Sequence, residues 1–268
     1  MLRRACLSAL LGMVTCAIAE PAGQQPLSSE QIREAEFLEG LSIPNPGEIF
    51  AAFGKLGKPD WTVHFRRQAP AQRTTRALIA LNLGVRIADG FLAAEAQDRQ
   101  QVKNVSREIR LLAKSLGLEQ EFLVRSNSIA DFADNRRWDA LDEEIEAVQA
   151  ELAAAMDGQH DSELAMLMSL GCWLRSVDIA SAQLGGNYTP EAATMLRVPT
   201  VAEFFSTRMD MLPGKIRTLP SLAEIRHRLP ALAAALTPSG ALPPSREAVS
   251  ALHHLATALI TLITAPVK

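Results

Sequence analysis

The sequence is poor in cysteine, in aromatic residues and in net charge, and each shortage excludes a class of protein. Three cysteines in 268 residues are too few for a disulfide-stapled scaffold. Aromatic residues make up 5% of the chain, so its core must consist chiefly of aliphatic side chains. The 27 basic and 30 acidic residues give a formal net charge of −3, which lacks the basic excess typical of nucleic-acid-binding proteins.

The motifs of common enzyme classes are also missing. The chain contains no Gly-x-Ser-x-Gly sequence and no glycine-rich phosphate loop, and the pair Gly185-Gly186 is typical of a helix end. Acidic residues are plentiful, but no spacing singles out a general acid and base. The sequence therefore indicates no catalytic residue and no cofactor.

What the chain does contain is helical periodicity. Hydrophobic residues make up 48% of it, which is enough for a large core. Apolar residues recur at helical spacing almost throughout, and no segment alternates convincingly as a strand does. We predict an all-α protein, a single irregular bundle of about ten helices in which short links make most neighbours antiparallel. The predicted helical domain covers residues 28–268.

Local signals give the predicted helix boundaries. Asn45 is a predicted N-cap ahead of Pro46, and Gly117 is a predicted helix end. Residues 99–116 either continue the helix that precedes them or follow a kink. The predicted helices cover 28–39, 46–54, 74–98, 99–116, 119–126, 128–136, 138–156, 161–184, a short segment from 190, 200–211, 221–236 and 245–264.

The first nineteen residues have the pattern of a secretory signal peptide. Arg3 and Arg4 precede a short apolar stretch, and Ala17-Ile18-Ala19 fits the small-x-small cleavage rule. Residues 20–27 form a predicted flexible lead. The alternative is a lipoprotein anchored through Cys16, although Thr15 replaces the small residue usual before such a cysteine. No later segment reaches membrane-spanning length without a charge, so we predict no transmembrane span and an exported, most simply periplasmic, product.

Removal of residues 1–19 would change the charge and the cysteine content. The mature chain would carry 25 basic and 30 acidic residues, a net charge of −5, and would keep Cys172 alone. It could then form no internal disulfide. A single thiol in an oxidising compartment is tolerable when it is buried, and the apolar neighbours of Cys172 favour burial.

Two long helices are apolar around most of their circumference, and their few polar residues are the candidate site. Asn82, Arg86 and Asp89 fall on one stripe of the helix 74–98, while Arg175 and Asp178 are nearly the only charges in the middle of 161–184. A polar stripe on a central helix must meet a partner, because an unpaired buried charge is costly. One interpretation is a pocket in which the two arginines bind a carboxylate or phosphate. The second interpretation, which we favour, is a set of structural ion pairs.

The same two helices share further features. The tetrapeptide Leu81–Gly84 resembles Met168–Gly171, which would fit a weak internal duplication, although chance is the simpler explanation because leucine and alanine are abundant. Small side chains line one face of the second helix and would allow a neighbouring helix to come close. These residues are Ala165, Ser169, Cys172 and Ser176. Trp173 lies on a different face and is a candidate core anchor.

Two weaker candidate sites remain. Glu224 and His227 have the Glu-x-x-His spacing that places two metal ligands on one helix face, and His253 or His254 would have to join them. We favour ordinary surface residues here. A basic cluster of Arg66, Arg67, Arg73 and Arg76 would suit anionic lipid, a cell-wall polymer or an acidic partner, although a solvated loop packed by Trp61 is the simpler interpretation.

Together these patterns favour binding over catalysis. We predict an exported soluble helical protein of the bacterial cell envelope with a binding or structural role, whose partner is an envelope ligand or protein. One alternative is a metal-dependent or acid/base hydrolase. Another is a helical-repeat adaptor, which requires stacked helix pairs with a concave surface.

Overall fold

The computed structural model describes residues 43–57, 59–66, 75–236 and 242–265. The predicted signal peptide, the lead 20–27, the helix 28–39, Cys16, Arg67 and Arg73 lie outside these residues. The described part contains eleven α-helices, one 3₁₀ helix and no strand, so the predicted all-α bundle is confirmed. The elements are α1 Pro46–Leu56, the 3₁₀ helix Trp61–His64, α2 Arg76–Glu95, α3 Arg99–Leu116, α4 Glu119–Asp134, α5 Trp138–Gly158, α6 Ser162–Gly186, α7 Pro190–Thr194, α8 Pro199–Met211, α9 Gly214–Arg217, α10 Pro220–Leu236 and α11 Arg246–Thr264.

Capping residues lie at two helix ends where the sequence predicts them, the start of α1 and the end of α3. The side chain of Asn45 accepts a hydrogen bond from the Glu48 amide at 2.8 Å, and the Glu48 carboxylate accepts one from the Asn45 amide at 3.0 Å. This reciprocal pair satisfies two amides that the first turn of α1 leaves without a helical partner. Gly117 ends α3 with φ of 81°, a left-handed conformation that glycine adopts without strain.

The division of two segments into helices differs from the prediction. Residues 119–134 form one helix instead of two, and within it the Ser126 hydroxyl donates to the Leu123 carbonyl at 3.0 Å. Residues 76–116, in contrast, form two separate helices. The chain leaves α2 after Glu95, and the Asp98 side chain accepts from the Gln101 amide at 2.9 Å to begin α3.

The helices α2 and α6 form the centre of the bundle and pack on each other at two glycines. A Cβ atom on Gly84 would lie 1.8 Å from the Met168 carbonyl oxygen, and one on Gly171 would lie 2.0 Å from the Leu81 carbonyl oxygen. Only glycine permits this backbone contact. Gly84 thus faces Met168, three residues before Gly171, and Gly171 faces Leu81, three residues before Gly84. The two similar tetrapeptides therefore contact each other reciprocally.

The remaining helices surround this central pair. In α2 every residue from Ala77 to Ala94 is buried, which explains why its apolar surface is nearly continuous. Helix α3 packs against α2, and α11 packs against α6 and, less extensively, α2. Helix α5 contacts both central helices, and α10 packs between α8 and α11. The core that results is mainly aliphatic, as the low aromatic content predicts.

Three helices, α2, α6 and α11, have the length and hydropathy of a membrane span when composition alone is considered. The most apolar stretches of α2 and α6 are 100% and 94% buried inside the protein, whereas that of α11 is 33% buried. Packing therefore accounts for the hydropathy of α2 and α6. The absence of a transmembrane span stays a prediction.

Candidate functional site

The four charged residues that interrupt the two central helices meet in the core. Arg86 and Asp89 on α2 are each 3% exposed, and Arg175 and Asp178 on α6 are 4% and 6% exposed. Asn82, from the same stripe of α2, is also buried, but its Oδ1 atom has no hydrogen-bond partner among the described residues. The structure thus places all five candidate residues inside the bundle.

The charges pair both along each helix and between the helices. Arg86 Nη1 lies 2.9 Å from Asp89 Oδ2, and Arg175 Nη1 lies 2.6 Å from Asp178 Oδ2, so both three-residue spacings produce an ion pair. Arg175 Nε donates across the helix contact to Asp89 Oδ1 at 2.8 Å. Both oxygens of Asp89 therefore accept from a guanidinium group, one from each central helix.

Two outer helices complete the cluster. Glu108 on α3 lies 2.7 Å from Arg86 Nε, and the hydroxyl of Thr257 on α11 donates to Asp178 Oδ1 at 2.6 Å. We call Arg86, Asp89, Glu108, Arg175 and Asp178 the ionic network. It joins α2, α3 and α6 by ion pairs, and Thr257 connects α11 to it.

The segment 59–66 lies over the network. Arg175 Nη2 donates to the His64 carbonyl at 2.6 Å, and the His64 ring lies 3.1 Å from the Gln183 side-chain oxygen. Trp61 anchors the segment on Phe50 of α1, with ring centroids 5.5 Å apart. Arg175 thus has an acceptor for Nε, for Nη1 and for Nη2 within the chain.

Arg66, at the end of this segment, adds a third guanidinium group. Its Nη2 donates to the Thr264 hydroxyl, whereas its Nη1 is buried without a hydrogen-bond partner among the described residues. Burial lowers the pKa of Arg66 to about 10, and the nearby Arg175 and Arg86 also lower it while Asp89 raises it. The group remains a cation at neutral pH.

The pKa values of two carboxyl groups of the network shift in opposite directions. Burial alone would raise the pKa of Asp89, but Arg175, Arg86 and Arg66 outweigh it and hold that pKa below its ordinary value. Burial raises the pKa of Glu108, with Arg86 opposing the shift. The formal charges of Arg66, Arg86 and Arg175 balance those of Asp89, Asp178 and Glu108 when Glu108 is ionised.

The members of the predicted basic cluster that the structure describes lie in different surroundings. Arg66 adjoins the ionic network. Arg76, at the start of α2, pairs with Asp161 and donates to the Leu116 carbonyl at 3.2 Å. Both described arginines thus have partners inside the chain, and the surface-patch hypothesis stays a prediction because Arg67 and Arg73 lie outside the described residues.

The weak metal candidates do not converge. Glu224 Oε1 lies 2.5 Å from Arg228 Nε, and His227 is exposed on the same helix. His253 Nδ1 lies 3.5 Å from Asp178 Oδ1, and the His254 ring centroid is 6.1 Å from that of His253. Among the described residues no three His, Cys, Asp or Glu side chains are grouped closely enough to hold a metal ion.

The sequence pattern identifies the centre of the network and misses its periphery. It misses Glu108, the His64 carbonyl and Thr257, and it assigns Arg66 to a surface cluster. Glu108 lies at the edge of the apolar face of α3, where an acid is most simply solvated. No local pattern distinguishes a threonine or a carbonyl group that a distant arginine or aspartate will contact.

No model of a protein family, no curated protein and no solved structure matches this chain. Its function has to be argued from its own residues.

Proposed function

We propose that this chain is an exported helical protein of the bacterial cell envelope that acts by binding or as a structural component, and not by catalysis. The observation that carries the proposal is the mutual pairing of the core charges. Arg175 donates from three nitrogens to acceptors of the same chain, and both oxygens of Asp89 and of Asp178 have donors within that chain. Groups occupied in this way hold helices together, whereas a group that binds a ligand needs a donor or acceptor that the chain leaves open.

The ionic network is best explained as the structural centre of the bundle. Binding of a carboxylate or phosphate by Arg175 would require it to release Asp89, Asp178 or the His64 carbonyl, and a buried carboxylate that loses its partner is strongly unfavourable. One observation favours a second candidate function, the binding of a small anion beside the network. Arg66 Nη1 is buried and has no hydrogen-bond partner within the described residues.

A hydrolase and a helical-repeat adaptor have less support. A metal-dependent hydrolase would need Glu224 and His227 to meet His253 or His254, and within the described part of the chain these side chains are not grouped. A helical-repeat adaptor is built from units that contact only their neighbours in sequence. Here α2 and α6 pack on each other although three helices separate them in the chain.

Export is tested by producing the full chain in a Gram-negative host and measuring the intact mass of the product. We expect a periplasmic, carbonate-extractable protein that begins at Glu20. Ala19→Arg disrupts the cleavage rule and should leave the leader attached, while Cys16→Ser should change nothing. A product that stays in the membrane pellet with a lipid adduct on Cys16, or at full length, would contradict the proposal.

The binding role is tested on the exported protein by native mass spectrometry and metal analysis. We expect no stoichiometric zinc or iron, because no described group of ligands is suited to either metal. Titration with inorganic phosphate and with acetate separates the two candidate roles of the network. Saturable binding that Arg66→Gln and Arg86→Ala both abolish would favour the anion site, and no binding would favour the structural role.

A further inference from the structure

A cavity of about 260 Å³ lies between the start of α1 and the helices α5, α6 and α8. Three of the four small residues of α6, namely Ala165, Ser169 and Cys172, line it. The sequence predicts that another helix approaches this face closely, and α2 comes close at Gly84, where a Cβ atom would lie 2.7 Å from the Cys172 backbone nitrogen. The side chains of Ala165, Ser169 and Cys172 line an open space beside that contact.

Aromatic rings form one wall of this cavity. Trp173 and Phe205 are 2% and 0% exposed, with ring centroids 5.4 Å apart, and Phe204 lies 5.3 Å from Phe205. Glu146, which is exposed, is the charged residue at the cavity. A neutral or weakly polar ring is compatible with these walls, whereas an anion would lose its hydration and meet a carboxylate.

One residue that lines the cavity, Trp173, carries a buried donor that lacks an acceptor in the described part of the chain. The indole nitrogen of Trp173 is buried and has no hydrogen-bond partner among the described residues. An indole nitrogen can only donate, and a buried donor without an acceptor is unfavourable. A molecule that enters the cavity with an oxygen atom would satisfy it.

The volume sets the size of that molecule. Apolar cavities of about 150 Å³ already hold a benzene-sized ligand. A cavity of 260 Å³ therefore accommodates a single ring that carries a short substituent. The donor, the aromatic wall and the volume are all compatible with a small aromatic molecule that carries an oxygen atom.

We propose that this cavity binds a small uncharged aromatic molecule that carries one carbonyl or hydroxyl oxygen, which accepts a hydrogen bond from Trp173. The site gives the proposed binding role a location and rests on that role. It does not depend on export or on the function of the ionic network, so its failure would leave the fractionation and intact-mass results unchanged.

The test follows the three indole N–H signals of the mature full chain in ¹⁵N-resolved NMR spectra. The two test molecules are acetophenone, which has a carbonyl acceptor, and ethylbenzene, which has a similar shape without one. Trp173→Phe assigns the signal, and Trp61 and Trp138, which do not line the cavity, are internal controls. We expect acetophenone to move the Trp173 signal downfield in a saturable way and to leave the other two unchanged.

Two substitutions distinguish binding in the cavity from binding elsewhere on the surface. Ala150 is exposed and lines the cavity, so Ala150→Phe should abolish binding without unfolding the chain. Ala154 is exposed on the same helix and does not line the cavity, so Ala154→Phe is the matched control. In titration calorimetry, which does not depend on the indole signal, Trp173→Phe should weaken the binding of acetophenone by about fivefold and that of ethylbenzene by less than about twofold, since only acetophenone loses a hydrogen bond.

Three results would overturn the proposal. The first is the absence of a saturable Trp173 shift up to the solubility limit of acetophenone in the mature full chain. The second is an equal shift of all three indole signals, which indicates nonspecific binding. The third is binding that Ala150→Phe and Ala154→Phe affect equally.

Discussion

Arg175 Nε on α6 donates to Asp89 Oδ1 on α2 over 2.8 Å, and among the described residues this ion pair is the one that joins the two central helices. Both side chains are almost fully buried. Removing either partner takes from the other a buried charge of opposite sign, which generally destabilises a protein more than the pair itself stabilises it. We therefore expect the pair to favour one register of α2 on α6.

The hydroxyl of Thr257 is predicted to anchor α11 to the network. Its loss in Thr257→Val deprives the buried carboxylate of Asp178 of a donor, so the free energy of unfolding should fall by about 1–2 kcal/mol in urea denaturation. Thr261→Val is the control, because the exposed Thr261 donates to the Thr257 carbonyl of its own helix. The control should stay within about 0.5 kcal/mol of the parent. Equal effects of the two substitutions would exclude this anchoring role.

The central helix contact is predicted to tolerate only glycine. Gly84→Ala places a Cβ atom where the Met168 backbone lies, so the helices must separate and unfolding should become easier by at least about 2 kcal/mol. Gly185→Ala, in the same helix as Gly171, meets no atom within 4 Å and should be neutral or stabilise by up to about 1 kcal/mol. Thermal and urea unfolding of both variants check this. A stable Gly84→Ala protein would be incompatible with the observed crossing.

Asp142 is predicted to contribute stability that is lost as the pH rises from about 4 to 7. Burial raises the pKa of Asp142 from 3.8 to about 7, with Glu95 and Asp139 adding to the shift, and its Oδ1 atom is buried without a partner among the described residues. The folded state therefore holds this proton more tightly than the unfolded state does. The associated stability is fully present below the unfolded-state pKa and is lost as the pH passes the folded-state pKa.

Asp142→Asn isolates this contribution from those of all other groups. The difference in unfolding free energy between about pH 5 and about pH 8 should be smaller in the variant than in the parent chain. Glu143→Gln, at an exposed position on the same helix, should leave that difference unchanged. The same pH dependence in the parent and in Asp142→Asn would show that Asp142 does not titrate in this range.

The thiol of Cys172 is predicted to be unreactive in the native protein. It is 2% exposed, and burial raises its pKa well above the ordinary range, so the nucleophilic thiolate is scarce. Intact mass after treatment with iodoacetamide should show no adduct under native conditions and one adduct after unfolding of the mature chain. Rapid modification of the native protein would contradict the burial of this residue.

Much of the fold and the centre of the site could be predicted from the sequence, because the relevant signals are local. Asn45 before Pro46 indicates a helix start, and the stripe with Arg86 and Asp89 on an otherwise apolar helix indicates buried pairing. The predicted break between residues 126 and 128 is wrong. A serine there can cap a new helix or bond within a continuous one, as Ser126 does. The contacts of Glu108 and Thr257 depend on how distant helices meet, which no local pattern contains.

The central claim, that the network fixes α2 against α6, is tested most directly by a double-mutant cycle between Asp89 and Arg175. Asp89→Asn, Arg175→Gln and the double variant are compared with the parent by urea denaturation of the mature chain. We predict that the two substitutions are coupled, with an interaction energy of about 1–3 kcal/mol, because each single variant takes from the other residue the buried charge that it faces across the helix contact. Effects that add to within about 0.5 kcal/mol would contradict the claim.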